Sequence, residues 1–420
     1  MKIGLQTWGS NGDIRPMLAL AGGLQKAGHQ VTLAITSIDN QSYQDISEKL
    51  GITYLQVPMT IDFNLLDFAN RSYKMNTLQW LRGLLDESLF PSETAIYQTA
   101  KHLVADNDCV IGHHFLYPLK LAAMQHHKPF FSLTFCHAAI PMTSYPPFRF
   151  PNLGVYSNKL AWQLLDLVFN WALKKPLTRL WISEGQSPPT HMLTDLLTSQ
   201  QLDLVAVDPL FCNFNREWTA NHKACGFLNL TEDTVHWTLP NDLALFLQEG
   251  EPPVYMTFGS MQQAVPEWSV TLFLEAVKLA DCRAIIQTEL AQYPAGSRLG
   301  QVYFIGKHPH QAVFEKCAAV VHHGGAGTTH SATLAACPSI VIPFMDEQLF
   351  WAHQLQALGL ALAPLPAKKV NAKLLAKAIR RVLTVKSLQE KAVEASLIMQ
   401  THNGVAMAVQ LVESQMHDLI

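Results

Sequence analysis

The segment 318–329 constrains the fold of this chain more than any other part. Its apolar start, residues 318–321, predicts a buried strand, and a glycine-rich turn follows directly. Three glycines let the backbone of this turn approach a ligand closely: Gly324, Gly325 and Gly327. Thr328 and Thr329 then open a helical stretch, whose unpaired N–H groups and dipole favour a phosphate. The segment therefore predicts a strand–turn–helix unit that binds a nucleotide diphosphate.

A second apolar strand, predicted at 339–343, leads to the polar run Asp346-Glu347-Gln348. A carboxylate accepts hydrogen bonds from two hydroxyls, and an amide both donates and accepts. The pair Glu347 and Gln348 therefore suits a group with several hydroxyls, such as a sugar. Asp346 competes with Glu347 for this role, so the register stays open by one residue. Together the two segments indicate a nucleotide-sugar site.

Length and composition set the outer bounds. A chain of 420 residues, 49% hydrophobic, fits two domains of about 200 residues each. The net charge of −3 lacks the basic footprint of a nucleic-acid binder. Seven cysteines are scattered without CxxC spacing, which favours a reducing, cytoplasmic location over a disulfide framework or a zinc site.

Strands and helices alternate along the chain. Residues 2–36 predict a strand, a glycine turn, a helix from about Arg15 to Ala27 and a second strand, which implies a parallel sheet. The same order recurs from Pro253 onward. The apolar start of the chain is broken by polar residues, so we expect a first strand and not a signal peptide. No apolar run reaches the roughly 20 residues that span a bilayer.

The sequence from His323 to Gln348, with HGGAGTT followed by the glutamate–glutamine pair, resembles the donor-binding signature of UDP-dependent glycosyltransferases of the GT-B fold. It is most similar to their sterol glucosyltransferase and glycopeptide-antibiotic glycosyltransferase branch. The resemblance implies an α/β protein with two Rossmann-like, doubly wound domains facing across a cleft. We assign 1–215 to an acceptor-binding domain with the catalytic base and 216–394 to a donor-binding domain. In the resembled fold the C-terminal helix often crosses back to the first domain, which would make 395–420 a return segment.

The resemblance assigns the donor contacts residue by residue. His323, the three glycines, Thr328 and Thr329 would contact the diphosphate, and Glu347 with Gln348 would hold the sugar. Ser260, in the turn after Phe258-Gly259, resembles a further phosphate or nucleoside contact. Two plainer interpretations stay open, a packed strand-end histidine for His323 and an ordinary turn serine for Ser260.

The turn Gly9-Ser10-Asn11-Gly12-Asp13 resembles the catalytic turn of the same branch. There the aspartate acts as general base on the acceptor hydroxyl, so Asp13 is the catalytic candidate. An aspartate before a helix is also a favoured N-cap, which leaves a structural alternative. Ser10 and Asn11 are cleft candidates, although Asn11 replaces the arginine that is frequent in the family.

Several further residues are less determined. His113 follows a predicted strand end and is a candidate acceptor contact, while Trp351 is either core or cleft wall. The run Asp106-Asn107-Asp108 spells the metal-binding DxD motif but lies in a polar turn, and the resembled site needs no metal. The aromatic segment 160–182 fits a core or acceptor-pocket wall better than a membrane surface, although peripheral membrane contact stays open.

These expectations describe an inverting, metal-independent enzyme without cofactors. It would move a hexose, expected to be glucose, from a UDP-sugar to a hydroxyl of a lipophilic acceptor such as a sterol or polyketide. Two alternatives stay open: a non-hydrolysing UDP-sugar epimerase and a non-catalytic UDP-sugar binding module. No nucleic-acid partner and no transmembrane segment is expected.

Overall fold

The chain folds into two α/β units, here taken from a computed structural model. The first unit comprises Met1–Asn64, Met75–Leu230 and Asn403–Ile420, and the second Leu65–Lys74 and Thr231–His402. The structure describes all residues except 39, 58–61, 65, 66, 69, 70, 72–74, 76, 149, 213–216, 231–236, 260–264 and 420. Among the described residues no helix is both long and apolar enough to cross a bilayer.

The strands alternate with helices, as a doubly wound sheet requires. In chain order the strands are β1 (Lys2–Gly9), β2 (Gln30–Ser37), β3 (Thr53–Gln56), β4 (Cys109–His113), β5 (Phe130–Thr134), β6 (Leu202–Val205), β7 (His222–Ala224), β8 (Val254–Met256), β9 (Ala284–Gln287), β10 (Arg298–Leu299), β11 (Val302–Ile305), β12 (Ala319–His322) and β13 (Ser339–Val341).

The helices cover the faces of the two sheets. In chain order they are α1 (Asn11–Lys26), α2 (Gln44–Leu50), α3 (Thr77–Leu84), α4 (Phe90–Asp106), α5 (Tyr117–Gln125), α6 (Val155–Leu177), α7 (Arg179–Ser183), α8 (Asn241–Gln248), α9 (Pro266–Ala280), α10 (His310–Phe314), α11 (Ala326–Leu334), α12 (Asp346–Ala357), α13 (Ala372–Thr384), α14 (Lys386–Gln400) and α15 (Gly404–Leu419). Short π-helical turns lie at Leu85–Leu89 and Met192–Leu196, and 3₁₀ turns at His137–Ala139 and Pro209–Phe211.

The two sheets share one topology. Among the described residues the first runs in the order β3-β2-β1-β4-β5-β6-β7 with every pair parallel, and the second β10-β11-β9-β8-β12-β13 with only β10 antiparallel. Among the parallel strands of each sheet the order reverses once, between β1 and β4 and between β8 and β12. Ligands of open α/β sheets bind at such switch points, beyond the carboxyl ends of the strands.

The α/β fold with parallel sheets is confirmed, with shifts at element ends. The first helix begins at Asn11 and not near Arg15, because the turn residues after β1 already adopt helical geometry. The first unit runs to Leu230 and not to 215, because β7 pairs in parallel with β6 and so belongs to the first sheet. The final helix α15 lies in the first unit, with Ala408, Val409 and Val412 in its core.

Candidate functional site

The turn after β1 is shaped around one carboxylate. Gly9 has φ +136°, and a Cβ placed on it would lie 2.4 Å from Oδ2 of Asp13, so only glycine fits here. Oδ2 accepts hydrogen bonds from the backbone N–H of Ser10 at 2.8 Å and from its hydroxyl at 3.1 Å. Asp13 therefore closes the start of α1, as in a capping box.

The other oxygen of this carboxylate faces a histidine from the neighbouring strand. Nε2 of His113, the last residue of β4, lies 3.5 Å from Oδ1 of Asp13. The His113 side chain is buried, whereas that of Asp13 is 34% exposed. Since β1 and β4 flank the switch point of the first sheet, the topology itself brings these two residues together.

The tautomer of His113 follows from its second nitrogen. The backbone N–H of Phe115 donates to Nδ1 of His113 at 3.1 Å, so Nδ1 carries no proton. The other nitrogen, Nε2, is the one that can carry a proton, and it faces Oδ1 of Asp13. His113 is therefore a neighbour of the carboxylate as well as a candidate acceptor contact.

The structure shows the capping interpretation of Asp13 in one of its two oxygens. Oδ2 serves the helix start, whereas Oδ1 lies beside His113, in a side chain that is partly exposed. Ser10 is a direct partner of the carboxylate, whereas Asn11 accepts a 3.4 Å hydrogen bond from the hydroxyl of Tyr43. Asn11 is thus placed by its contact with Tyr43, which follows β2.

In the second unit the glycine turn and the segment predicted to bind a sugar lie against each other. Gly324 has φ +92°, and a Cβ on it would lie 2.7 Å from the backbone oxygen of Gln348. No side chain fits between these two backbones. The donor residues predicted from separate stretches of sequence are therefore neighbours, as a single nucleotide-sugar site requires.

The ring of His323 is held between two glycines. A Cβ on Gly259 would lie 3.0 Å from Cε1 of His323, and a Cβ on Gly325 would lie 2.5 Å from its Nε2. Gly259 follows β8 and His323 follows β12, so this contact forms at the switch point of the second sheet. Nδ1 of His323 is buried, with no hydrogen-bond partner within the described part of the chain.

Burial keeps this histidine neutral. It lowers the pKa of His323 from its ordinary value of 6.5 to about 4, and that of the preceding His322 to about 3. Nδ1 of His322 also accepts a 3.1 Å hydrogen bond from the backbone N–H of Gly324. His323 can therefore offer a neutral N–H to a ligand at physiological pH, while His322 fixes the turn.

The helix after the turn begins with open backbone donors. The first bond within α11 runs from the N–H of Thr329 to the carbonyl of Gly325, so the N–H groups ahead of it point outward. A Cβ on Gly327 would meet nothing within 4 Å, so space remains above this turn. Thr328 and Thr329 are buried. The arrangement suits an anion at the helix N-terminus.

The side chains expected to hold a sugar open helix α12. Asp346 and Glu347 are half-buried in its first turn, where the positive end of the helix dipole stabilises their negative charge. The buried Gln348 uses its carbonyl oxygen to accept the backbone N–H of Phe344 at 2.8 Å. Its NH₂ group takes no part in this bond and is the part of the amide that can donate to a ligand.

Three other sequence candidates have clear positions. Trp351 is fully buried, with its ring against His330 and Phe350, so it is a core residue and not a cleft wall. Ser260 lies outside the described residues. Asp108 accepts the backbone N–H of Lys2 at 2.8 Å, at the amino ends of the strands and opposite to the switch point. The DxD run thus belongs to a structural turn.

Sequence reasoning missed two parts of the site. The proximity of His113 and Asp13 depends on pairing between β1 and β4, which are separated by about a hundred residues of chain. The sequence showed that Gly9 lies in a turn, but not that its missing side chain makes room for the carboxylate of Asp13. The available signal was the position of both residues at strand ends beside a topological switch point.

Comparisons with known proteins agree with this geometry. Residues 272–403 match the family described as erythromycin biosynthesis protein CIII-like, C-terminal domain. A sterol 3-beta-glucosyltransferase of Arabidopsis thaliana is 26% identical over 97% of this chain and 67% of its own. The vancomycin aglycone glucosyltransferase of Amycolatopsis orientalis is 26% identical, covering 87% of both chains.

A solved glycosyltransferase of kitacinnamycin has a TM-score of 0.73 at 17% identity, covering 99% of this chain and 98% of that one, and shows the shared fold. The chain spans only 26 to 67% of the length of the eukaryotic relatives that match 97% or more of it. The expected resemblance to the GT-B glycosyltransferases is confirmed, and these homologues and structural neighbours are glycosyltransferases.

Proposed function

We propose that this chain, a homologue of the sterol and vancomycin aglycone glucosyltransferases with the GT-B fold, transfers a hexose from a UDP-sugar to a hydroxyl of a lipophilic acceptor. The proposal rests on the geometry at the switch point of the second sheet, between β8 and β12. There a neutral, buried histidine, an open helix N-terminus and the backbone of Gln348 meet around one glycine turn.

The donor is UDP-glucose in this proposal. Its diphosphate binds at the N-terminus of α11 and accepts a hydrogen bond from the N–H of His323. These donors together offset the negative charge of the diphosphate. Glu347, or Asp346, accepts from the sugar hydroxyls, and the NH₂ group of Gln348 donates to one of them. No metal ion is required, because these groups supply the donors that a leaving diphosphate needs.

The base is Asp13, acting through Oδ1. Oδ2 is engaged by two donors of Ser10, whereas Oδ1 remains beside Nε2 of His113. The proton of the acceptor hydroxyl passes to Oδ1 as its oxygen forms a bond to the anomeric carbon. The bond from that carbon to the diphosphate breaks on the opposite face, so UDP leaves and the configuration inverts.

A lipophilic acceptor is supported by the surroundings of the base. The ring of His113 contacts Trp8 at 6.2 Å, Phe135 at 5.2 Å and Phe115 at 5.8 Å between centroids. Phe115 and Phe135 are half-buried, so aromatic surface adjoins the carboxylate. Such surface favours a flat apolar aglycone over a polar one. The sterol for which the Arabidopsis thaliana relative is named is likewise a flat apolar molecule.

The test is an acceptor screen with UDP-glucose, read by mass spectrometry. Sterols and polyketides are offered to the wild type and to Asp13→Asn, and UDP binding is measured by calorimetry for both. We expect a product carrying one hexose of inverted configuration, formed also with chelator present. Asp13→Asn should lose transfer but bind UDP as the wild type does.

Each other outcome has a distinct meaning. Transfer retained by Asp13→Asn removes Asp13 as the base. Conversion of UDP-glucose without acceptor indicates an epimerase. UDP binding without any transfer or conversion indicates a binding module, and loss of transfer with chelator overturns the metal-free step.

A further inference from the structure

We propose that the exposed face of helix α6 is a docking surface for an anionic lipid bilayer. This helix is apolar on two sides. One side packs into the first unit through Trp162, Phe169 and Leu173, as the sequence indicated for a core segment. The other side is not core. Tyr156 is 90% exposed, Leu167 65% and Trp171 85%.

The exposed apolar side chains form one continuous stripe. At 100° per residue they fall within an arc of about 120°, and the stripe is about 22 Å long. Its members, which we call the α6 stripe, are Tyr156, Leu160, Leu164, Leu167, Val168 and Trp171. Scattered exposed apolar residues are ordinary on a protein surface, but a contiguous stripe of this size marks an interaction site.

The composition of the stripe fits the boundary of a bilayer. Leucines occupy its middle, where they would contact the acyl chains of the lipids. Tyr156 and Trp171 lie at its two ends. Aromatic rings with a polar tip prefer the headgroup level. A helix with this pattern lies in the plane of the membrane with its apolar face buried.

The charged residues near the α6 stripe indicate what kind of surface it binds. Residues 150–182 contain four basic residues, Lys159, Lys174, Lys175 and Arg179, but one acidic residue, Asp166. Asp166 is bound to Nδ1 of His191 at 2.8 Å. Lys174 and Lys175 fall in the same arc as the stripe, one turn beyond Trp171. The four basic residues outnumber the one acidic residue in a chain whose net charge is −3, so the apolar stripe lies in a basic segment of an acidic chain.

This pattern favours lipid over a second copy of the chain. In a symmetric pair of stripes, Lys174 and Lys175 of one copy would face a stripe that has no acidic residue, so they would gain no opposite charge. Anionic headgroups meet those residues with opposite charge, each lysine near the surface strengthening binding severalfold. The inference goes beyond the proposed transfer and does not depend on it, because vesicle binding needs neither donor nor acceptor.

The experiment is co-sedimentation with vesicles of phosphatidylcholine alone and of phosphatidylcholine with phosphatidylserine. We expect the wild type to bind the anionic vesicles more tightly and to lose affinity as salt is raised. The variant Leu167→Glu/Trp171→Glu should lose binding about tenfold or more. Its control is Leu397→Glu, at a 60% exposed position of α14 in the second unit.

A second variant tests the charge without touching the apolar side chains. Lys174→Glu/Lys175→Glu should weaken binding to anionic vesicles about tenfold or more, and its control is Lys373→Glu/Lys377→Glu on α13. Unchanged binding in both α6 variants, equal loss in the controls, or no wild-type binding overturns the proposal. Sedimentation of the wild type as a dimer that Trp171→Glu converts to a monomer also overturns it.

Discussion

At the scale of single residues, the carboxylate of Asp13 is divided between two tasks. Oδ2 holds the start of α1 through Ser10, and Oδ1 lies 3.5 Å from Nε2 of His113. A carboxylate is a weak base for an alcohol, so the orientation of Asp13 toward the acceptor matters as much as its basicity. We therefore regard His113 as a positioning residue for Asp13, which gives it a role testable apart from acceptor binding.

We expect His113→Leu to lower kcat about five- to tenfold, because the 3.5 Å contact between Nε2 and the carboxylate contributes about 1 kcal/mol, less than a short charged hydrogen bond. The KM for UDP-glucose should stay unchanged, since the donor residues lie in the second unit. The conservative variant His113→Gln, which keeps a donor, should recover part of the loss. A parallel rise in KM, or no recovery with glutamine, would contradict a positioning role.

A second residue-scale prediction concerns His323. Its imidazole is fixed between Gly259 and Gly325 and is neutral because of burial. His323→Ala should weaken UDP binding by about five- to tenfold, the value of one hydrogen bond near 1 kcal/mol. Calorimetry with UDP measures this, with the exposed His353→Ala on α12 as control. Equal affinity in all three proteins would leave His323 as a packing residue only.

At the scale of elements, the end of β12 makes the second unit sensitive to acid. His322 and His323 have pKa values lowered to about 3 and about 4, so both stay neutral in the folded state down to low pH. In the unfolded chain they bind protons below about pH 6.5. The unfolded state then holds more protons, so the free energy of unfolding falls as pH drops from about 6.5 toward 4.

We predict that His322→Asn reduces this acid-induced loss by on the order of 2 kcal/mol at about pH 4.5. Asparagine keeps an acceptor for the N–H of Gly324 but cannot take up a proton. Urea unfolding at neutral and at acid pH, compared between wild type and variant, isolates the histidine from the carboxylates common to both. Parallel stability curves would show that His322 does not contribute.

The elements themselves were largely predictable. Apolar runs placed the buried strands to within a few residues, as with Ala319–His322 against the predicted 318–321, because a parallel strand is apolar on both faces. The glycine turn and the pair Glu347-Gln348 were found because a local motif carries them. The contact of His113 with Asp13 was not, because strand order depends on packing between distant segments. The apolar pattern of α6 also did not show which of its apolar side chains are buried in the core and which are exposed to solvent.

At the scale of the whole molecule, the first unit is assembled from separated stretches of chain. Helix α15 packs against α1 so closely that a Cβ on Gly23 would lie 2.3 Å from Val405. Val409, Val412 and Met416 are buried in the core of the first unit, and Glu413 bonds Nε2 of His29 at 3.0 Å. The last helix therefore completes a core that begins with the first strand.

Removal of the chain after His402 should destabilise the first unit by roughly 5 kcal/mol or more, since three large apolar side chains lose their burial. Calorimetric Tm and susceptibility to proteolysis within α1 measure the effect. A milder variant, Val412→Ala, should cost about 1–3 kcal/mol and tests the same contact in the full-length chain. A truncated protein with the Tm of the wild type would show that α15 is dispensable.

The placement of α15 also has a consequence for synthesis on the ribosome. Most of the first unit emerges before Thr231–His402, yet its helix α15 is translated only after that stretch. The second unit can therefore fold while the surface of α1 that α15 covers is still exposed. A nascent chain is thus expected to expose that apolar surface until α15 has been synthesised, and a chaperone could bind it in that interval.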